Sequence, residues 1–566
     1  MAPAAAGGLS VVTERRLALA GEPGLKGLVS NLHTLSIAVF ASIGGLVYGY
    51  NQGMFGQVLS MHSFTTASGV TGIQNPTLSG LLTSILELGA WVGVLANGIL
   101  ADRLGRKLCV VVACFFFCIG VIVQACTHGS SYSYILGGRF VTGLGVGSLS
   151  MIVPLYNAEL SPPEVRGSMV ALQQLAITFG IMISYWITYG TNFIGGTGAG
   201  QSKAAWLLPI TIQIVPALVL AVGIMFMPQS PRWLVDQGRD EECREIIAGL
   251  RRLPLDHSLV TMEFLEIKAQ KVFETRLSQR DFPQFQDSSS KSKFMLGVHG
   301  YLSLLNNRSN FKRTVVAVLI MTFQQWTGVN FILYYAPFIF ASLGLDSKTT
   351  SLLASGVVGV VMWIATIPAV LWVDNWGRKP TLIVGAIGMG ICHFIVAGII
   401  GSCRSDWPAH KGAGWAAVVF VWIFAICFGF SWGPCAWVVV AAVYPLGLRA
   451  KGVSIGASSN WLNNFAVAIS TPDFVAAAPF GAYIFLGLIC ILGALYVHIG
   501  VPETKTRTLE EIDEVFGDKS GRSHFEAEML EQAQRDVGLL AVAGIEKQSD
   551  NGSDSEKPSH HEHIEA

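Results

Sequence analysis

The sequence predicts an all-α membrane protein whose twelve spanning helices form two six-helix halves. Three observations predict it. Only 13% of the 566 residues are charged and 51% are hydrophobic, with a mean hydropathy of +0.51, whereas a soluble chain carries about a quarter charged residues. Apolar runs of about 20 residues, the length that crosses a bilayer, come six in a row and, after a long polar stretch, six again. Landmarks of the first six recur in the same order among the second six.

Residues 1–32 mix small, polar and charged side chains and lack the apolar core and small-residue cleavage site of a secretory signal. The run from Leu35 to Tyr50 therefore reads as a retained helix. The N-terminal bundle is expected over 33–227, with runs near 33–53, 78–100, 108–127, 132–157, 168–191 and 204–227. Residues 228–312 form a polar linker. There Asp240-Glu241-Glu242 precedes Ile246, Ile247 and Leu250 at helical spacing, which predicts short amphipathic helices on the inner membrane face. Asp287-Ser288-Ser289-Ser290-Lys291-Ser292 reads as a flexible linker. The C-terminal bundle is expected over 313–500, with runs near 313–342, 350–373, 380–402, 414–444, 452–476 and 481–500. The tail, 501–566, is poor in apolar residues beyond about 520 and is expected to be largely disordered.

Lys and Arg set the orientation. The segments with Arg103, Arg106, Lys107, Arg166, Arg232, Arg378, Lys379, Arg449 and Lys451 share one side, and the segment from Met54 to Ser79, with no Lys or Arg, lies on the other. Both termini and the linker are then cytoplasmic, in a multi-pass protein of the cell membrane. The glycosylation patterns at Asn307 and Asn551 fall on that inner side and read as chance. A net charge of +0 leaves no basic face for nucleic acid. The ten cysteines lie scattered, without a CxxC pair or a Cys/His cluster, so no metal or cofactor is implied. Cys126 and Cys403 fall near outer helix ends and are expected as two unpaired thiols rather than a bridge. No Ser/His/Asp set or phosphate loop falls at membrane depth, so an enzyme is not expected.

The repeat is specific. Asp102-Arg103-Leu104-Gly105-Arg106-Lys107 after helix 2 matches Asp374-Asn375-Trp376-Gly377-Arg378-Lys379 after helix 8. Pro228-Gln229 after helix 6 matches Pro502-Glu503 after helix 12, and Arg166-Gly167 before helix 5 matches Arg449-Ala450-Lys451-Gly452 before helix 11. Two similar halves imply a pseudo-twofold axis, a solute site at mid-membrane and a rocking motion that exposes it to each side in turn. Apolar helices also carry Gln173, Gln174, Gln324, Gln325, Asn330, Asn460 and Asn464. Amides facing lipid are costly. Set against a hydroxylated solute they both donate and accept, as a sugar requires; the bland alternative is helix-to-helix glue.

With these residues the chain resembles the sugar porter family of the major facilitator superfamily, and within it the fungal hexose transporters. The resemblance covers about 35–515. It rests on Gly98 with Asp102 to Lys107, Gly138-Arg139-Phe140, Pro154-Leu155-Tyr156 with Glu159, Arg166-Gly167, Pro231-Arg232, Gln324 to Asn330, Gly377-Arg378-Lys379 and Pro502 to Lys505. It implies the major facilitator fold and a monosaccharide, glucose or another hexose, as solute. It assigns sugar contacts to Gln174, Gln324, Gln325, Asn330, Asn460 and Asn464, with Trp437 as an apolar platform. Met362 stands where the family often has another Asn. Asp102, Arg106, Glu159, Arg166, Arg378, Arg449 and Glu503 are expected as a cytoplasmic gate of ion pairs between the halves. Glu159–Arg449 can pair there. Ala442 and Gln229 replace usual acidic residues, which implies a weaker inner gate and an inward-open bias.

Asn51, at the end of helix 1, replaces the Asp that proton-coupled members commonly set against the helix-4 arginine, here Arg139. That favours uniport over proton symport, with protons kept as a candidate second partner. Glu87 opposes the inference. It lies about 14 Å along a helix crossing about 30 Å of hydrocarbon, and Arg139 is its candidate partner. A monomeric transport unit in the lipid bilayer is expected. The alternatives are a sugar sensor on the same fold and a carrier of a pentose or polyol.

Overall fold

The computed structural model describes residues 32–70, 75–129, 131–162, 165–285, 290–306, 308–343, 348–444, 448–503, 516 and 522–544, and positions 12, 15–16 and 18–19 near the start of the chain. Two compact units result: the membrane unit, 35–229 with 297–517, and a polar unit built from 1–34, 230–296 and 518–566.

Every described regular element of the membrane unit is a helix. We number its long helices α1 (Leu32–Val58), α2 (Pro76–Leu104), α3 (Arg106–Ala125), α4 (Ser133–Leu160), α5 (Arg166–Thr191), α6 (Ala204–Phe226), α7 (Arg308–Ser342), α8 (Lys348–Trp376), α9 (Arg378–Cys403), α10 (Pro408–Val443), α11 (Arg449–Ala477) and α12 (Pro479–Gly500). Eleven contain a stretch long and apolar enough to cross a bilayer. The remaining one, α11, has the length, 29 residues, but Ser454, Ser458, Ser459, Asn460, Asn463 and Asn464 interrupt its apolar character. The six-plus-six plan expected from the sequence is the fold. The repeat is visible in the backbone too: Gly105 and Gly377, which precede α3 and α9, both take positive φ, 80° and 86°, a conformation that glycine adopts without steric cost.

Within the first half, backbones meet where the sequence supplies glycine. A Cβ added at Gly147 of α4 would lie 2.0 Å from the Ala90 carbonyl oxygen of α2, and one at Gly143 would lie 2.2 Å from that of Leu86. Small residues spaced by four let helices approach this closely in lipid, where packing rather than water drives association. Across the halves, a Cβ at Gly56 of α1 would lie 1.9 Å from the Tyr334 carbonyl oxygen of α7. At the same end, the Tyr185 hydroxyl of α5 donates to the Leu333 carbonyl at 2.6 Å and Thr77 of α2 lies 3.1 Å from Asp473 of α11. The end of the bundle opposite the Arg- and Lys-bearing loops is therefore packed shut.

The polar unit corrects one expectation. Part of the tail, expected to be disordered, is helical over Arg522–Asp536 and Leu539–Val542. Leu539, Leu540 and Ala543 are buried in one core with Val12, Leu234, Ile247, Val260 and Phe264. Ion pairs Arg16–Glu266 at 2.7 Å and Arg276–Asp536 tie the three chain segments together. The tail has few apolar residues, and they suffice because segments distant in sequence complete the core. The short amphipathic helix expected in the linker is present as Asp240–Arg251, and a longer helix without a clear apolar face follows at Ser258–Asp281. Cys243 is buried in this core. Burial, then the neighbouring Asp240 carboxylate, pushes its thiol up to about 12, so it packs rather than reacts. Cys126 and Cys403 are both free thiols. Asp287 to Ser289 of the expected flexible linker lie outside the described residues, whereas Ser290–Asn306 is a helix.

The α2–α4 seam yields the first prediction. Gly147→Val places a branched side chain where a carbonyl oxygen stands. It should destabilise the bundle by about 1–3 kcal/mol or more, read as a lower midpoint of thermal unfolding in detergent.

Candidate functional site

The candidate site is built around breaks in two helices. α7 stops at Trp326 and resumes at Val329, through Gly328 at φ 98°. α10 breaks at Ser431, with φ −120° and ψ −86°. A broken helix leaves backbone carbonyls without helical partners, and inside a membrane these must be satisfied from neighbouring helices. The Thr327 carbonyl is held by His393 Nε2 of α9 at 2.8 Å and by Cys490 Sγ of α12 at 3.7 Å. At the α10 break Gln324 Nε2 donates to the Trp432 and Gly433 carbonyls, which open the second helical segment, at 2.8 and 3.2 Å, a bond additional to their helical ones.

From these breaks the amides join into two hydrogen-bonded sets. Gln324 Oε1 accepts from Asn460 Nδ2 of α11 at 2.6 Å. Asn330, just past the α7 break, donates from Nδ2 to Gln325 Oε1 at 2.5 Å and to Asn464 Oδ1 at 2.9 Å. Its own Oδ1 accepts from Gln52 Nε2 of α1 at 2.5 Å, so this set crosses into the other half. All these amides are buried. Gln174 Nε2 of α5 stands 3.4 Å from the position a Cβ on Gly433 would take. Of the seven residues expected to contact sugar, Gln324, Gln325, Asn330, Asn460 and Asn464 are joined by hydrogen bonds and Gln174 reaches the α10 break. Trp437 is half-buried against the core of the second half and makes none of these bonds. Gln173 is buried beside Gly45 of α1, and neither of its amide atoms has a partner among the described residues.

The coupling candidates are arranged differently from expectation. Arg139 does not pair with Glu87. It donates from Nε to the Leu82 carbonyl at 2.7 Å and from Nη2 to that of Thr83 at 3.0 Å, and its guanidinium lies 3.6 Å over the Phe55 ring. Glu87 instead accepts from Tyr334 Oη at 2.7 Å and from Asn464 Nδ2 at 3.1 Å. Asn51 faces α6, where its Nδ2 donates to Gln213 Oε1 at 2.6 Å.

Among the gate residues, buried Arg106 holds Glu159 through two bonds, at 2.8 and 2.7 Å, and exposed Asp102 lies 3.5 Å from its Nη1. Glu503 accepts from the backbone N–H groups of Arg378 and Lys379 at 3.2 and 3.1 Å, which suits a carboxylate at a helix N-terminus. These described bonds stay within one half each. The side chains of Arg166 and Arg449 lie outside the described residues, and the expected Glu159–Arg449 pair with them. Gln229, which the repeat matches to Glu503, has a buried Oε1 without a partner. No group of three or more His, Cys, Asp or Glu fit to hold a metal occurs among the described residues.

A network of amides at helix breaks, spanning two halves, can bind a polyhydroxylated solute but offers no nucleophile or acid–base pair for catalysis. The profile of the family described as "Sugar (and other) transporter" matches residues 37–516. The chain belongs to that family. It is 31% identical over 85% of its length to a low-affinity glucose transporter of Kluyveromyces lactis, covering 82% of that protein. It is 32% identical over 86% to a low-affinity glucose transporter of Saccharomyces cerevisiae, also covering 82% of it, and 32% identical over 85% to a major facilitator-type transporter of Aspergillus rugulosus, covering 86%. Among solved structures it is similar to the xylose transporter XylE from E. coli in a partially occluded inward-open conformation: TM-score 0.67, 26% identity, 84% of this chain and 99% of that one. The same proton:xylose symporter bound to 6-bromo-6-deoxy-D-glucose gives a TM-score of 0.67 at 28% identity, over 85% of this chain and 99% of that one. The protein is thus a membrane sugar transporter of the major facilitator superfamily, not an enzyme.

Sequence reasoning missed Gln52, Tyr334 and His393. The first two share helices with expected site residues and carried the same signal, a polar group in an apolar run. His393 carried the weaker signal of one histidine in an apolar helix. It is buried between Phe424 and Tyr483, with ring centroids 4.7 and 5.9 Å away. His393→Phe would keep an aromatic ring but leave the Thr327 carbonyl with only the weak Cys490 thiol donor. A stabilisation loss of about 1–3 kcal/mol is expected, measured by thermal unfolding of the solubilised transporter against His393→Asn, which can still donate.

Proposed function

We propose that the protein carries a hexose, glucose foremost, across the cell membrane by alternating access. The observation that carries this reading is the amide chain Gln52–Asn330–Asn464 with Gln325, beside Gln324–Asn460, which presents paired donors and acceptors where the two halves meet. The named glucose transporters among the relatives and the glucose derivative held by the structural neighbour support a hexose. The buried, apolar Met362 removes one amide from the usual set and leaves Asn460 and Asn464 to discriminate among sugars. The Lys/Arg-bearing loops face the cytoplasm. Rocking of 33–227 against 313–500 opens the site to each side, with 228–312 and the tail on the cytoplasmic side. The inner gate is weakened at Gln229 and Ala442.

Asn51 has no proton to exchange, and its Nδ2 is committed to Gln213. As far as α1 is concerned this supports uniport. It leaves Glu87 as the one carboxyl in the site network.

Uptake of labelled glucose by proteoliposomes tests the reading, with xylose, galactose, fructose and polyols as competitors. Gln325→Ala and Asn464→Ala should each raise KM about 10- to 100-fold, the effect of leaving a buried hydrogen-bonding group unpaired at about 1–3 kcal/mol. Stronger competition by xylose or a polyol would reassign the substrate. Absence of any sugar uptake, with sugar-dependent signalling intact in cells, would make the protein a sensor.

A further inference from the structure

Glu87 is 1% exposed, midway along α2 in the first half. Its two oxygens accept from two different helices of the other half, Tyr334 Oη of α7 and Asn464 Nδ2 of α11. No ion pair among the described residues includes it. The ionisable groups near enough to feel its charge are Arg139 of α4, Tyr334 of α7 and Tyr48 of α1. Arg139 spends two of its nitrogens on α2 backbone carbonyls and rests on Phe55. α11 brings the neutral amide of Asn464. The carboxylate is thus held across the interface by neutral donors alone.

We propose that Glu87 is the proton-binding site of this carrier, and that its bonds to Tyr334 and Asn464 couple the proton both to sugar and to the parting of the halves. The proposal rests on the sugar-carrier reading. When the halves separate at this level, α7 and α11 leave α2, and both donors leave with them. An anion stripped of partners in a low-dielectric interior is strongly disfavoured. Binding one proton from the water on one face converts the carboxylate into a neutral acid, with no other bond made or broken, and a neutral acid parts from Tyr334 and Asn464 far more readily. The proton leaves to water on the opposite face when the donors re-engage the anion.

Sugar enters the same account through Asn464. That residue belongs to the amide chain as well, since its Oδ1 accepts from Asn330. A sugar hydroxyl that accepts from Asn464 Nδ2 takes that donor away from Glu87, and a proton compensates the loss. Sugar and proton therefore favour each other's binding, and the coupling is reciprocal. External acid should lower KM for glucose. Glu87→Gln keeps one oxygen to accept from Asn464 and an Nε2 that can donate to Tyr334 Oη, but it cannot exchange a proton.

The test uses proteoliposomes of the full chain with labelled glucose. With the outside one pH unit more acid than the lumen, the wild type should accumulate glucose above its external concentration. One proton per sugar permits up to about tenfold. Glu87→Gln should still exchange glucose between the two faces, yet should only equilibrate it and should lose the pH dependence of KM. If the wild type merely equilibrates glucose under the gradient, the proton site is refuted while the hexose reading survives. If Glu87→Gln accumulates as well, the proton travels elsewhere and the proposal fails. If no glucose enters wild-type vesicles, the hexose reading itself fails. The wild type also gives a readout free of variants. Glucose added to the solubilised transporter in weakly buffered solution should take up protons within the pH range over which the transporter stays folded. A silent pH electrode across that range would overturn the proposal.

Discussion

A polar group inside a bilayer has no water to fall back on, and the site of this transporter follows from that constraint. Its helices can be broken only where neighbouring side chains take over the released carbonyls. α7 breaks at Thr327-Gly328 because His393 and Cys490 wait on the facing helices. At the α10 break at Ser431, Gln324 reaches the first carbonyls of the segment that follows and ties α7 to it. Each break then frees the next few residues from helical register, and those residues are the ones that meet the other half: Asn330 and Tyr334 after the first, Gly433 beside Gln174 after the second. Satisfying the backbone and assembling the site are one arrangement.

The same constraint divides the labour of the two kinds of interface. Contacts inside the first half are made through glycines, backbone against backbone, as between Gly147 and Ala90. Such contacts have one geometry and resist sliding, since interdigitated small residues leave no slack. Between the halves the central contacts are amide to amide and phenol to carboxylate. Hydrogen bonds of that kind can be exchanged for bonds to a sugar or to water at little net cost. A rigid half and an exchangeable seam suit the rocking motion proposed for this carrier.

Much of this was legible in the sequence, and the limits have physical causes. Helix positions follow from apolar length, and the two halves from the repeated Gly-Arg-Lys landmarks, whose glycines at 105 and 377 share the same positive φ. The amides were identifiable because a polar residue in an apolar run must find a partner. Which partner it finds depends on helix rotation and on interhelix distance, and neither is written locally. Arg139 and Glu87 read as a natural pair, yet the arginine turns to the Leu82 and Thr83 carbonyls and the carboxylate turns to Tyr334 and Asn464. α11 shows the converse: the polar residues that blur it as a membrane span are those that put Asn460 and Asn464 in the site. The tail eluded sequence reading because its core is completed by Val12 and Phe264, hundreds of positions away.

That Arg139 makes no ion pair with Glu87 has a consequence for motion. A buried ion pair between the halves would hold them through charge on both sides, and pulling it apart would strand two ions rather than one. The cationic side chain at this depth instead stays within its own half, from α4 onto α2 and Phe55 of α1, where no rocking separates it from its partners. The single carboxylate faces the moving seam with neutral partners only. Among the described charges near the amides, the one that cannot be neutralised at ordinary pH is thus held within the first half, and the one that a single proton would neutralise sits where the halves would part in the proposed cycle. Asn51, an amide bonded to Gln213 within its own half, has no such charge, so in the proposed cycle the seam is controlled from α2 rather than from α1.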